Sequence, residues 1–226
     1  MNHFGPAGNT IHKRHNLRCN VNPAVKYTFI ILCFSMCLIK NIRKLRLTSV
    51  RCLLAGLFFT VLADYFLVFT YNFIPGILLF CIVQFCYCRI FDYSLLFLAE
   101  NGLLGATLVW IVSLILHFPL DITALLAFFY FFCLATNVFL AWQRSGAWLS
   151  LGLTLMLLCD IHVGLSALPA YLSISPGTPL ALWCKIAPIV IWVLYVPSQL
   201  IMALQSDFLN IVHPVSIHAG AGEGSR

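Results

Sequence analysis

The stretch Ala55–Phe91, AGLFFTVLADYFLVFTYNFIPGILLFCIVQFCYCRIF, decides how this chain folds. It reads as two apolar helices joined by a short turn at Tyr71 to Pro75, with one carboxylate, Asp64, well inside the first. A charged side chain in hydrocarbon costs roughly 2.5–3.5 kcal/mol on insertion scales, and acids at membrane depth face a bundle interior or a water-filled cavity. Other residues must therefore gather around Asp64.

Composition places the whole chain in the same setting. Of its 226 residues, 62% are hydrophobic and only 9% charged, and the mean hydropathy is +0.97. A soluble domain carries about 25% charged residues, so this chain cannot cover itself with polar surface in water. Apolar runs of about 20 residues recur, the length at which a helix crosses a bilayer. The fold class is all-α, a polytopic transmembrane helix bundle of about seven spans. The net charge of +6 does not point to nucleic acid. The basic residues sit at the ends of apolar runs, as in His12 to Arg18 and Lys40 to Arg51, where membrane orientation and anionic lipid account for them.

The ten cysteines lie mostly within apolar runs and lack the loop spacings of a metal site or a disulfide framework. They read as small apolar fillers. Neither a metal nor a cofactor is expected.

Taken in order, Met1 to Asn22 is a polar, mobile tail without the short apolar core of a cleavable signal peptide. The bundle then occupies residues 23–206. Its helices are expected over Ala24 to Ile39, about Val50 to Thr70, Phe73 to Ile90, Leu103 to His117, Asp121 to Trp142, Ala147 to Leu168 and Leu180 to Gln205. Asn101-Gly102 favours a turn, which sets the start of the fourth near Leu103, with an extension back through Glu100 left open. Residues 207–226 form a disordered tail. With Lys40 to Arg51 facing the cytoplasm, eight Lys and Arg fall inside and five outside, which puts the N-terminus out and the C-terminus in.

Asp160 is the second acid at membrane depth, in WLSLGLTLMLLCDIHVGL. Both acids close the same local phrase, Gly-Leu, six residues, Asp, at Gly56 to Asp64 and at Gly152 to Asp160. At 1.5 Å per residue Asp64 lies roughly 21 Å from the start of its helix and Asp160 roughly 20 Å. The two helices cross in the same direction, so the acids reach matching depths and suit one shared site. Desolvation favours the neutral form of a carboxyl, and a second carboxyl nearby separates the two titrations. One group can then donate a proton while the other accepts one, which is the equipment of general acid/base hydrolysis. The plainer alternative is that each acid pairs with a structural cation, Lys26 or Lys185, and does nothing else.

These residues resemble the lysoplasmalogenase-like (YhhN) family of integral membrane proteins, from about Ala24 to Gln205. The pieces are Val25-Lys26 opening a helix, AGLFFTVLAD followed by PGILLF, LGLTLMLLCD, and a last helix ending LYVPSQLIMAL with Tyr195 and Gln199. The family pattern has Gly-Asp at Ala63-Asp64, Ser-Asp at Cys159-Asp160, and a His in the third helix near Gln84. Its members typically have eight spans, the first without a counterpart here. The resemblance implies hydrolysis of the vinyl ether bond of lysoplasmalogens to a fatty aldehyde and a glycerophospho-base, with no metal. Asp64 and Asp160 would be catalytic, and Lys26, Gln84, Tyr195 and Gln199 would bind substrate, Lys26 near the phosphate. Gln84 cannot shuttle a proton near neutral pH as a His can, so a catalytic role for the family His would leave this chain slow or inactive.

The expected partners are a lysophospholipid within the bilayer and the membrane itself, with a homo-oligomer left open. The location is multi-pass, in the plasma membrane of a bacterium or the endoplasmic reticulum membrane of a eukaryote. Lys185 reads as a snorkelling lysine, His162 as structural, and the aromatic run Phe128 to Phe132 as lipid-facing or packing. The main rival is a small-solute transporter, since a parallel internal echo with buried acids also fits repeat-built transport folds. An inactive relative of the enzyme family is the other.

Overall fold

A computed structural model of the protein describes residues 23–117, 120–172 and 174–205; the expected tails at 1–22 and 207–226 lie outside them. Seven helices follow in order: α1 Pro23–Asn41, α2 Thr48–Tyr65, α3 Phe73–Ile90, α4 Leu95–Ile115, α5 Ile122–Arg144, α6 Ala147–Ala167 and α7 Pro179–Leu204. The described residues contain no strand. All seven helices are long and apolar enough to cross a membrane, so the chain is the all-α, multi-pass bundle that its composition demands.

The packing order positions the site. α1 packs on α2, α2 on α3, α3 on α5, α5 on α6, α6 on α7, and α7 back on α1. Six helices thus close a ring, and α4 lies outside it against α5 and α3. Successive spans alternate in direction. α2 and α6 run away from the basic Lys40 to Arg51 face, whereas α1, α3, α5 and α7 run toward it.

The Gly-Leu phrase that repeats before each acid has a packing role. A Cβ on Gly56 would lie 2.6 Å from Cε1 of Tyr87 on α3, and one on Gly152 would lie 3.1 Å from Cγ2 of Ile201 on α7. Each acid-bearing helix therefore rests its glycine against the next helix in the chain. In lipid, where apolar surface gives no drive to associate, small residues allow this close approach.

Two local expectations need correction. The fourth helix begins at Leu95, not Leu103, with the Ser94 side chain accepting from the Leu96 N–H at 3.2 Å as its cap. Asn101-Gly102 makes no turn: the Asn101 amide bonds back to the Phe97 carbonyl at 2.7 Å, and Gly102 is buried against Phe129 and Cys133 of α5. Glu100 is accordingly an exposed residue within α4 rather than a helix end. The α2–α3 connection is also tighter than Tyr71 to Pro75. Only Tyr71, with φ 52°, and Asn72 lie between the helical segments. Pro75 falls in the first turn of α3, where its missing N–H is no loss.

Candidate functional site

Asp64 is buried on α2, and the Tyr195 hydroxyl of α7 donates to its Oδ2 at 2.5 Å. That bond reaches across the ring past α1. Asp160 is half-buried on α6, and its Oδ2 accepts from the Tyr130 hydroxyl of α5 at 2.6 Å. The two carboxyls lie within electrostatic reach of each other, and Cys159 is within reach of both. Asp64 sits about 9 Å below the end of its helical segment at Thr70, and Asp160 about 10 Å below Ala167. Each carboxyl thus accepts a hydrogen bond from a phenol through its Oδ2.

The helix loses its regular form just past Asp64. Immediately beyond Asp64 and Tyr65, the chain widens into a π-helical turn, Phe66–Thr70; such turns collect at functional sites. Tyr27 of α1 packs there against Tyr65 and, edge-on at 5.2 Å between ring centroids, against Phe69. Beside this aromatic group the Lys26 ammonium lies 4.0 Å from the centroid of the Trp192 ring on α7, close enough to feel the charge of Asp64. A cation thus rests over an aromatic face, near an acid, at the end of the ring opposite the Lys40 to Arg51 face.

The sequence-selected residues separate into two groups. Asp64, Asp160, Tyr195 and Lys26 come together. Gln84 and Gln199 hydrogen-bond neither carboxyl. Gln84 is fully buried on α3, where the Asn137 amide of α5 donates to its backbone oxygen at 2.8 Å and its Oε1 at 3.0 Å. The Gln199 amide points to the Met156 sulfur at 3.9 Å. Lys185 is exposed on α7. His162 bonds the Leu158 carbonyl one turn back and packs on Trp183, as a structural residue would.

Tyr130 is the residue that reading the sequence missed. The run Phe128 to Phe132 is not merely lipid-facing or packing, because its one hydroxyl is the partner of Asp160. The signal was a lone polar atom within AFFYFFC. Replacing it in Tyr130→Phe leaves a carboxyl at membrane depth short of a donor, at an expected cost of about 1–3 kcal/mol. Thermal unfolding of the purified protein measures this, and an unchanged midpoint would show that the bond contributes nothing.

An acid pair held by two phenols inside a ring of six helices is the candidate site of this multi-pass membrane protein. The chain belongs to the YhhN family, whose model matches residues 21–206. No curated protein and no solved structure matches it. At the positions where this chain departs from the family pattern, Ala63 is fully buried on the seam with Gly76 of α3, and the Cys159 thiol donates to the Ile191 carbonyl of α7 at 3.6 Å. Among the described residues no group of His, Cys, Asp and Glu is arranged to hold a metal ion.

Proposed function

We propose that the protein is a membrane-embedded hydrolase that cleaves the vinyl ether bond of lysoplasmalogens, working in the plasma membrane of a bacterium or the endoplasmic reticulum membrane of a eukaryote. The observation that supports this most is the convergence of Asp64 and Asp160, from helices far apart in the chain, each with one oxygen tied to a phenol. Family membership supports it in addition.

Hydrolysis of a vinyl ether starts with a proton added to the alkene carbon remote from oxygen. One carboxyl, as the acid, supplies it and is left as a carboxylate beside the oxocarbenium ion that forms. The second carboxylate takes a proton from water as the water oxygen bonds to the cationic carbon. The product is a hemiacetal. Its collapse returns the hydroxyl proton to the first carboxylate, while the second carboxyl protonates the departing glycerol oxygen. The C–O bond breaks, giving a fatty aldehyde and a glycerophospho-base, with both acids restored. Tyr195 and Tyr130 hold the carboxyls in place, and each phenol stabilises the charge that its partner carries. The alkenyl chain enters from lipid, and the phosphate sits at the outer mouth near Lys26 and Trp192, with Gln84 and Gln199 deeper in the ring.

The purified, folded protein is expected to release aldehyde from a lysoplasmalogen and none from the ester-linked lysophospholipid of the same headgroup. No aldehyde from folded protein overturns the proposal. The repeated glycine-to-acid phrase favours one rival, a small-solute transporter with parallel repeats. That rival predicts flux into proteoliposomes and no product.

A further inference from the structure

Below the acid pair, a set of polar side chains is buried within an otherwise apolar ring interior. On α7, Ser198 and Gln199 lie one turn beyond Tyr195, and on α2 Thr60 lies one turn before Asp64. On α5, Asn137 lies two turns beyond Tyr130 on the same side of the helix, joined to Gln84 of α3. One turn past Gln84 comes Tyr87. Given the directions of these helices, every one of these residues is displaced from the acids toward the basic face. Thr60, Gln84, Tyr87, Asn137, Ser198 and Gln199 are all 0% exposed.

The protein satisfies these groups only in part. Gln84 Nε2, Asn137 Oδ1, Ser198 Oγ, Gln199 Oε1 and the Tyr87 hydroxyl have no hydrogen-bond partner among the described residues. The Tyr87 hydroxyl lies near that of Thr60 but makes no hydrogen bond to it, and Thr60 directs its own bond to the Gly56 carbonyl at 3.0 Å. At the inner end of α1, Asn41 Oδ1 is orphaned as well. Buried polar groups at membrane depth are normally all paired, so this column points to a ligand.

The donor and acceptor pattern selects that ligand. Gln84 Nε2 can only donate, Asn137 Oδ1 and Gln199 Oε1 can only accept, and the two hydroxyls do either. A cation would meet an unwanted donor, an anion would meet unwanted acceptors, and an alkyl chain would satisfy none. Water satisfies all of them. We propose that the column binds a file of ordered waters, each bridging two or three of these side chains, which connects the carboxyl pair with the aqueous phase on the Lys40 to Arg51 face. The use of this file to deliver the hydrolytic water rests on the hydrolase reading; the hydration itself does not.

Radiolytic hydroxyl-radical footprinting of the full chain in lipid nanodiscs tests this without turnover, because bound water activated in place oxidises the side chains beside it. Met156, at the Gln199 amide, and Tyr87 border the column, whereas Cys133, one turn before Asn137, is as deeply buried but turns its thiol to the Leu98 carbonyl of α4. Oxidation is expected at Met156 and Tyr87, none at Cys133, and loss of the first two in the double variant Asn137→Leu, Ser198→Ala. Unlabelled Met156 and Tyr87 in the parent protein overturn the proposal, whatever the aldehyde assay shows, and so does labelling that persists in a folded double variant. If that variant fails to fold, the parent alone decides. A labelled column in a protein that releases no aldehyde supports the water file and removes only the hydrolase.

Discussion

Asp64→Asn and Asp160→Asn are each expected to lower aldehyde release by about 10²–10⁴-fold, the range that one positioned general acid or base supplies. Asn matches the size of Asp, and its carbonyl oxygen can still accept the hydrogen bond from Tyr195 or Tyr130 that each carboxyl accepts now. The helices therefore keep their contacts. What the amide cannot do is donate an acidic proton to carbon or take one from water. The proposed path uses both groups in one reaction, so the double variant is expected to fall no further than the worse single one, as happens when residues work as a unit. The comparison is made at equal amounts of folded protein, judged by thermal unfolding. Full activity in either single variant would strike that carboxyl from the mechanism.

The contrast with the phenols sharpens this result. Tyr130→Phe and Tyr195→Phe leave both carboxyls titratable and remove only the donors that orient them. Their effect on turnover should be smaller than that of the Asn variants, while their effect on stability should be larger, since a buried acid loses its partner without a replacement.

The fold was legible in the sequence because lipid leaves so few options. Helices must satisfy their own backbone in hydrocarbon, so length and hydropathy alone located six spans to within a few residues. The fourth failed at its start because Asn101-Gly102 follows a rule learned from chains in water. There, Asn-Gly opens a turn; here the Asn101 side chain bonds its own helix and the glycine makes room for a neighbour. The acids announced themselves by the cost of burying them, and the repeated phrase matched their depths. Tyr130 did not, since an aromatic hydroxyl amid phenylalanines looks like packing until the facing helix is known. Gln84 and Gln199 were singled out by resemblance, and their place one step below the acids depends on helix rotation, which apolar patterning on all sides of a membrane helix does not encode.

Gly105 leaves less room for a side chain than any other described glycine. A Cβ there would lie 2.1 Å from Cγ of Phe132 on α5, the atom that anchors the ring to its stem. Swinging the ring about χ2 cannot clear that contact, so Gly105→Val must push α4 off α5 or force Phe132 out of its rotamer. Replacing a mid-helix glycine by itself favours the helix, by about 0.8–1.0 kcal/mol for alanine and less for a β-branched valine. Overpacking costs about 1–3 kcal/mol and should prevail, lowering the unfolding midpoint of the purified protein. A raised midpoint would mean that α4 does not approach α5 this closely. Since α4 stands outside the ring and contributes none of the residues around the acids, the surviving folded fraction should turn over substrate at the parent rate per molecule. A variant that kept its stability yet lost activity would place part of the site on α4, where the structure puts none.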